Sequence, residues 1–134
     1  MRRVSESNVE IVRRLFDRYA EGGVEAVLEG ADENIVIEIP SDLSAEPDTY
    51  HGHEGVRRYF AGFDGMIEDV RYEAFELMAE GDFVLAHSRM SGRGVTSGLE
   101  VNLEVYVLHE LAGGKIVRIR PYADLESAER GAAG

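Results

Sequence analysis

The stretch "GGKIVRIRPYAD", from Gly113 to Asp124, decides how the second half of the chain folds. Side chains alternate across a strand, so Val117 and Ile119 share one apolar face and the even positions share the other. The residues on that second face are Arg118, Arg120, Tyr122 and Asp124. The two glycines at the start favour a tight hairpin turn. The stretch is therefore predicted to be the last strand of an antiparallel sheet.

Three more segments before it have the composition of strands, namely residues 70–79, 83–93 and 99–111, with the last strand covering 116–123. The connections between them, "EGD", "GVTSG" and "AGG", are short and contain glycine. Such connections join strands that are neighbours in both sequence and space. The sequence predicts a four-stranded antiparallel meander.

The first half of the chain is predicted to be mainly helical. Ser7 and Glu10 have the spacing of a capping box, so a helix is expected to begin at Ser7 and to end at Gly22-Gly23. A short amphipathic stretch follows, and "NIVIEIP" then predicts a buried strand that Pro40 stops. A loop leads into a third helix over "HEGVRRYFAGF". Helices before a meander predict an α+β fold, with the helices on one face of a curved sheet.

Length and composition exclude several classes of protein. We expect one domain over 1–134, with a frayed start at 1–6 and a short C-terminal helix or tail at 126–134. The net charge of −12 repels phosphate backbones, so no nucleic-acid partner is expected. Because the chain has no long apolar run and no secretory signal, we expect a cytoplasmic protein without a membrane partner. The absence of cysteine excludes disulfides and thiolate chemistry.

The strand register can be estimated by placing the turns at their glycines. This places Asp124 opposite Asn102 and Tyr122 opposite Glu104. On the next strand, Ser91 is expected opposite Asn102, and Arg89 opposite Glu104. Directly opposed side chains have Cβ atoms about 5 Å apart, so these rows could form a site. A one-residue slip or a bulge near Pro121 would move them to the other face.

Four segments together resemble the SnoaL-like branch of the nuclear transport factor 2 superfamily. They are "IVRRLFDRYAEGG", "YHGHEGVRRYF", "GRGVTSG" and "GGKIVRIRPYAD", and they span nearly the whole chain. The resemblance implies a cone-shaped α+β fold, in which a curved antiparallel sheet wraps around helices and leaves a pocket at its open end. It also implies a homodimer. It does not imply one activity, because function depends on the site and not on the fold.

Two enzyme patterns of this superfamily match poorly. Ketosteroid isomerases carry a tyrosine and two acids where this chain has Leu15, Ile39 and Val107, so that chemistry is excluded. In the pattern of limonene-epoxide hydrolases, Arg89 and Asp124 match the bridging arginine and one acid. The remaining polar positions are replaced by Val36, Glu38 and Ser91, which makes epoxide hydrolysis the weaker alternative.

A third pattern, that of SnoaL-like polyketide cyclases, implies acid/base chemistry at Asp124 on a polyaromatic substrate. In this reading Tyr122 and Arg89 polarise a substrate oxygen and Glu38 is a second carboxylate. Asn102 and Glu104 would contact the ligand, and aromatic side chains would line the pocket. Those aromatic side chains are Phe16, Tyr19, Tyr59, Phe60 and Phe63. Val107 replaces the histidine that the family often carries, and His109 follows two residues later.

Each of these residues also has a purely structural interpretation. Asp124 could cap a helix over "DLESAER", Tyr122 could be a core aromatic, and Arg89 with Glu104 could be a cross-strand ion pair. Glu38 lies either in water or in a cavity. "HGHE", at residues 51–54, has metal-ligating residue types, but the spacing favours no metal site, and no cofactor motif is present.

The sequence therefore predicts a protein that binds a small apolar or polyaromatic ligand. Catalysis of an isomerase, cyclase or hydrolase type without a cofactor is one possibility. A non-catalytic ligand-binding or dimeric assembly protein is the alternative.

Overall fold

The computed structural model describes residues 4–40 and 48–133. These residues form three helices and six strands. The helices are α1 (Val4–Leu28), α2 (Gly52–Asp64) and α3 (Leu125–Ala133). The strands are β1 (Ala31–Ile39), β2 (Asp48–His51), β3 (Ile67–Glu80), β4 (Phe83–Gly94), β5 (Glu100–Ala112) and β6 (Lys115–Tyr122).

The six strands form one sheet in the order β2-β1-β6-β5-β4-β3. The predicted meander is confirmed, since β3 to β6 pair antiparallel in sequence order. The other edge was not predicted: β1 lies parallel to β6, with Ile37 opposite Ile119. The short strand β2 pairs with β1 within what the sequence suggested was a loop, and the rest of that loop, residues 41–47, lies outside the described residues. The predicted α+β class is confirmed.

The first helix differs from the prediction at its start but not at its break. The expected start at Ser7 is wrong, because α1 already includes Val4. The break at the glycine pair is real: Gly23 has φ 68° and ψ −153°, which separates a long helix from a short one that ends at Leu28. Glycine tolerates this left-handed φ because it has no Cβ. The chain can therefore turn into β1 immediately after the short helix.

The register of the β4–β5 hairpin is as predicted, and that of β5–β6 is not. Arg89 lies opposite Glu104, as expected. Tyr122, however, lies opposite Tyr106 and not opposite Glu104. The turn is centred between the two glycines, and a bulge between Glu110 and Leu111 adds a second one-residue shift. The two shifts keep Arg118, Arg120 and Tyr122 on one shared face, as predicted, but place Ile116 on the opposite face. They also move Asp124 beyond the end of the paired strand.

The sheet has an inner face, which packs against α1 and α2, and an outer face. Buried aliphatic residues from β1, β4, β6 and both helices form the inner core, including Val12, Ile35, Ile37, Val56 and Ile116. On the outer face α3 covers a smaller cluster of Leu85, Leu108, Tyr122 and Ala128. The helices therefore cover the inner face along much of its width, and α3 covers one end of the outer face.

Candidate functional site

An open cavity of about 560 Å³ lies between the inner face of the sheet and helices α1 and α2. Apolar side chains dominate its walls, with Ile35, Ile37 and Ile39 from β1 on one side. Leu103 and Met66 also line it, and they are 45% and 61% exposed, which places them at its mouth. Cavities of this size and character accommodate small organic molecules.

Aromatic side chains form the helical wall of the cavity. The five predicted ligand-contacting aromatics, Phe16, Tyr19, Tyr59, Phe60 and Phe63, all line it. Residues three and four apart share one face of a helix, which is why α2 presents three of these rings together. Tyr72 on β3 completes the wall, with its ring centroid 4.9 Å from that of Tyr19. Most contacts within this wall are edge-to-face, the arrangement that aromatic pairs prefer.

Two tyrosines of this wall, Tyr59 and Tyr72, remain protonated near neutral pH. Burial raises the pKa of Tyr59 to about 12, with a smaller contribution from Tyr50. Burial also raises the pKa of Tyr72 strongly, and Tyr59 and Tyr19 add to the effect. Their hydroxyl groups can therefore donate hydrogen bonds to a ligand but do not act as bases near neutral pH.

His109, on β5, is the buried titratable side chain on the sheet wall of the cavity. It is 1% exposed, and its Nδ1 lies 3.2 Å from the carbonyl oxygen of Val84 on β4. The edge of Phe16 approaches the ring, with 6.3 Å between the centroids. Burial lowers the pKa of His109 to about 4, against the opposing effect of the carbonyls of Val84 and Val107. The imidazole is therefore neutral at physiological pH.

The other polar groups of the cavity are few. Ser88 is fully buried, and its hydroxyl donates to the carbonyl of Val105 at 3.4 Å. Asp48 is the one carboxylate among the described residues that line the cavity, and no lysine or arginine lines it. The site therefore combines apolar and aromatic surface with neutral hydrogen-bonding groups.

A smaller cleft of about 270 Å³ lies behind the aromatic wall and shares Tyr19, Phe60 and Tyr72 with the cavity. Arg57 and Glu25 face this cleft and form an ion pair of 2.8 Å, with both side chains well exposed. Exposed pairs of this kind contribute little to stability. The cleft contains no other charged side chain among its described lining residues.

The side chains predicted for the acid/base site lie outside the cavity. Arg89, Asn102 and Glu104 lie on the outer face, because their neighbours Ser88, Met90 and Leu103 face the cavity and side chains alternate along a strand. Arg89 packs over the ring of Phe75, 5.0 Å from its centroid. Glu104 pairs with His87, with 2.7 Å between Oε1 and Nε2, and not with its cross-strand neighbour Arg89.

Glu38 also lies on the outer face, between the arginines of the neighbouring strand. Its Oε1 is 3.4 Å from Arg118 and 3.8 Å from Arg120. Arg118 in turn lies 3.0 Å from the buried Oε1 of Glu110, at an angle that makes an ion pair but no hydrogen bond. The sequence left open whether Glu38 lies in water or in a cavity. The structure places it outside the cavity, paired with arginines.

Asp124 follows β6 and caps α3. Its Oδ1 accepts a hydrogen bond from the backbone N–H of Ser127 at 2.8 Å, and the side chain is exposed. This hydrogen bond, and a further one from the Ser127 side chain, lower the pKa of Asp124. Tyr122 is 8% exposed and packs beneath α3, where its hydroxyl lies close to Gly131. The four residues proposed for catalysis are therefore not brought together, and none lines the cavity.

Residues 4–40 and 48–133 contain no group of three or more His, Asp or Glu side chains that could hold a metal ion. In "HGHE", His53 instead makes a 3.1 Å hydrogen bond between Nε2 and the carbonyl of Ala31. In the same ranges, no helix has both the length and the apolar character needed to cross a membrane.

His109 was not predicted as a site residue, although the strand pattern around it indicates its position. His109 shares its strand parity with Val105 and Val107, and both of these line the cavity. A histidine on the apolar side of a strand therefore pointed to the cavity wall. Tyr72 was missed because strand β3 is exposed over much of its length and shows no clear apolar face.

Comparisons with known proteins agree with this architecture. A proposed SnoaL-like polyketide cyclase from Jannaschia sp. CCS1 has a TM-score of 0.77 at 23% identity, over 96% of this chain and 93% of that chain. TerC, co-crystallised with polyporic acid, has a TM-score of 0.76 at 17% identity, over 96% and 99%. A proposed isomerase from Bacillus subtilis has a TM-score of 0.72 at 23% identity, over 96% and 94%.

These identities show a shared fold and no more. No curated protein matches the chain. The model of the SnoaL-like domain matches residues 12–119, which covers most of the sequence. The chain belongs to the SnoaL-like domain family.

Proposed function

We propose that this protein binds a small, mainly apolar ring compound in the cavity between the sheet and helices α1 and α2. The observation that carries the proposal is the aromatic and aliphatic lining of an open cavity of about 560 Å³. Such a lining is unfavourable in contact with water and favourable against an apolar ligand. The polyporic acid in the TerC crystals supports a ring-shaped ligand, since that protein has the same fold.

The lining also supports an uncharged ligand. The described wall has no cation to pair with an anion, and its one carboxylate, Asp48, lies on the exposed strand β2. An ionised group moved into an apolar cavity without a partner loses its hydration at a large cost. The net charge of −12 further disfavours anionic ligands at long range.

Binding can be tested with the neutral fluorescent probe N-phenyl-1-naphthylamine. We expect its emission to rise on binding, and a Leu103→Trp variant to weaken binding at least tenfold, because Leu103 lies at the mouth of the cavity. Leu99→Trp is the matched control: Leu99 is 69% exposed and does not line the cavity. Absence of binding, or an equal effect of the two tryptophans, would contradict the proposal.

A second candidate function is acid/base catalysis on the bound compound. It is favoured by His109, a buried proton acceptor within an apolar cavity. A pKa of about 4 gives it a basicity close to that of a carboxylate, the group that isomerases of this superfamily use as a base. In this proposal His109 takes the role that the sequence suggested for Asp124, and the reaction is an isomerisation or a ring closure.

The expected homodimer and the cytoplasmic location remain part of the proposal. The outer face exposes Phe75, at 44%, next to Arg89 and His87. Aromatic residues and arginine are enriched in protein interfaces. A dimer through this face would leave the mouth of the cavity open, because Leu103 and Met66 belong to the cavity lining.

A further inference from the structure

The hydrogen bond of His109 fixes the position of the proton on its ring. The carbonyl oxygen of Val84, 3.2 Å from Nδ1, can only accept a hydrogen bond. Nδ1 must therefore carry the hydrogen and donate it. In a neutral imidazole the other nitrogen, Nε2, then has a lone pair and no hydrogen.

Among the described residues, no group donates a hydrogen bond to this lone pair. Burial leaves His109 without solvent, at 1% exposure. The second backbone group near the ring is the carbonyl of Val107, and a carbonyl cannot donate. The ring is thus an acceptor on a cavity wall whose other nearby groups are apolar, including Ile116, Ile119 and Val107.

The position of His109 also fixes which end of a ligand would reach it. Leu103, at the mouth, and His109 are both on β5, six residues apart by number. A strand rises about 3.3 Å per residue, so His109 lies about 20 Å along the wall from the mouth. A group that meets the ring belongs to the innermost end of the ligand, and the aromatic wall lies alongside its body.

We infer that His109 accepts a hydrogen bond from the ligand through Nε2, so that the site selects ring compounds with a hydroxyl group, a phenol or an enol, at their inner end. This inference rests on the proposed function and names the class of its ligand. A phenol supplies a donor for this lone pair. An ether or a plain hydrocarbon of the same shape leaves the lone pair desolvated and unpaired, which opposes its binding.

The test compares 2-naphthol with 2-methoxynaphthalene and naphthalene by calorimetric titration. One hydrogen bond between neutral groups corresponds to a preference of about five- to tenfold. We expect 2-naphthol to bind about five- to tenfold more tightly than either analogue. In a His109→Phe variant, which keeps a ring but removes the lone pair, the preference for 2-naphthol is expected to be lost.

A measurement on the wild-type protein keeps the inference testable if the variant does not fold. The ¹⁵N resonance of His109 Nε2 is expected to move on addition of 2-naphthol and to stay nearly unchanged with 2-methoxynaphthalene. Equal affinities of the three compounds for the wild type, or an unmoved resonance with 2-naphthol, would overturn the role of His109 while ligand binding in the cavity stands. Failure of all three compounds to bind would overturn the proposed function as well.

Discussion

The two faces of the β4–β5 hairpin each carry a histidine, and the two side chains have opposite surroundings. His109 on the inner face meets a carbonyl, an aromatic edge and aliphatic side chains. His87 on the outer face pairs with Glu104 at 2.7 Å and stacks on Tyr106, with the ring centroids 4.5 Å apart. The outer histidine has a carboxylate as its partner, and the inner one has a backbone carbonyl.

This difference shows that polar residues have different meanings on the two faces. Charged side chains on the outer face find partners among other side chains. Glu104 pairs with His87, Glu38 pairs with Arg118, and Arg89 packs over the ring of Phe75. On the inner face a polar group is rare, and each one must find a partner in the backbone or in a ligand. The candidate for a functional role in this protein is therefore the inner polar residue His109, and not the charged residues of the outer face.

The largest predicted effect comes from placing a charge on the inner face. Ile37 is 2% exposed in the inner core, and Glu38 beside it lies on the outer face. Ile37→Asp buries an unpaired carboxylate and is expected to cost about 4 kcal/mol or more. Glu38→Gln removes a partly exposed ion pair and is expected to cost about 1 kcal/mol or less. Urea unfolding of the two variants measures both, and similar losses would show that the two faces do not differ.

The next effect is a dependence of stability on pH that arises from His109. Its pKa of about 4 in the folded protein lies below the ordinary value of 6.5, so the unfolded state binds more protons between these values. Stability due to this group is therefore complete above pH 6.5 and is lost as pH falls to about 4. The loss amounts to about 3 kcal/mol.

Urea unfolding between pH 7.5 and 4 measures this loss. The His109→Phe variant should have a flatter profile than the wild type over the same range. An unchanged slope in His109→Phe would contradict the assignment.

The third prediction concerns catalysis and distinguishes between His109 and Asp124 as the proton carrier. If His109 is the base, exchange of the α-protons of 2-tetralone with deuterated water should be faster with protein, and His109→Phe should slow it at least a hundredfold. Asp124→Asn keeps an oxygen that can cap α3 and should leave the rate unchanged. NMR of the ketone measures the exchange. A slower rate in Asp124→Asn alone would restore the acid that the sequence suggested.

Most of the fold could be predicted from the sequence because its signals are local. Apolar alternation and glycine turns defined β3 to β6, and the spacing of aromatic residues defined α2. The β5–β6 register could not be predicted, because no residue type in the sequence marks the bulge between Glu110 and Leu111. The pairing of β1 with β6 was missed because parallel neighbours distant in sequence leave no local pattern.

The site was predicted in part, for a related reason. The aromatic residues on α1 and α2 line the cavity as expected, because a helix shows its buried face by periodicity. The polar residues Asp124, Tyr122, Arg89 and Glu38 were assigned by resemblance, and none of them lines the cavity. Three lie on the outer face of the sheet, and Asp124 caps α3. Strand alternation groups residues by face, but it does not say which face curves around the helices.

The parallel pairing of β1 with β6 has a consequence for folding during synthesis. Ile37 and Ile119 face each other across this pair and both line the cavity. The hairpins from β3 to β5 can form from local contacts as they leave the ribosome, whereas β1 and β2 have no place in the sheet until β6 arrives. The cavity is therefore completed last, and its apolar wall is exposed to chaperones until the final strand is inserted.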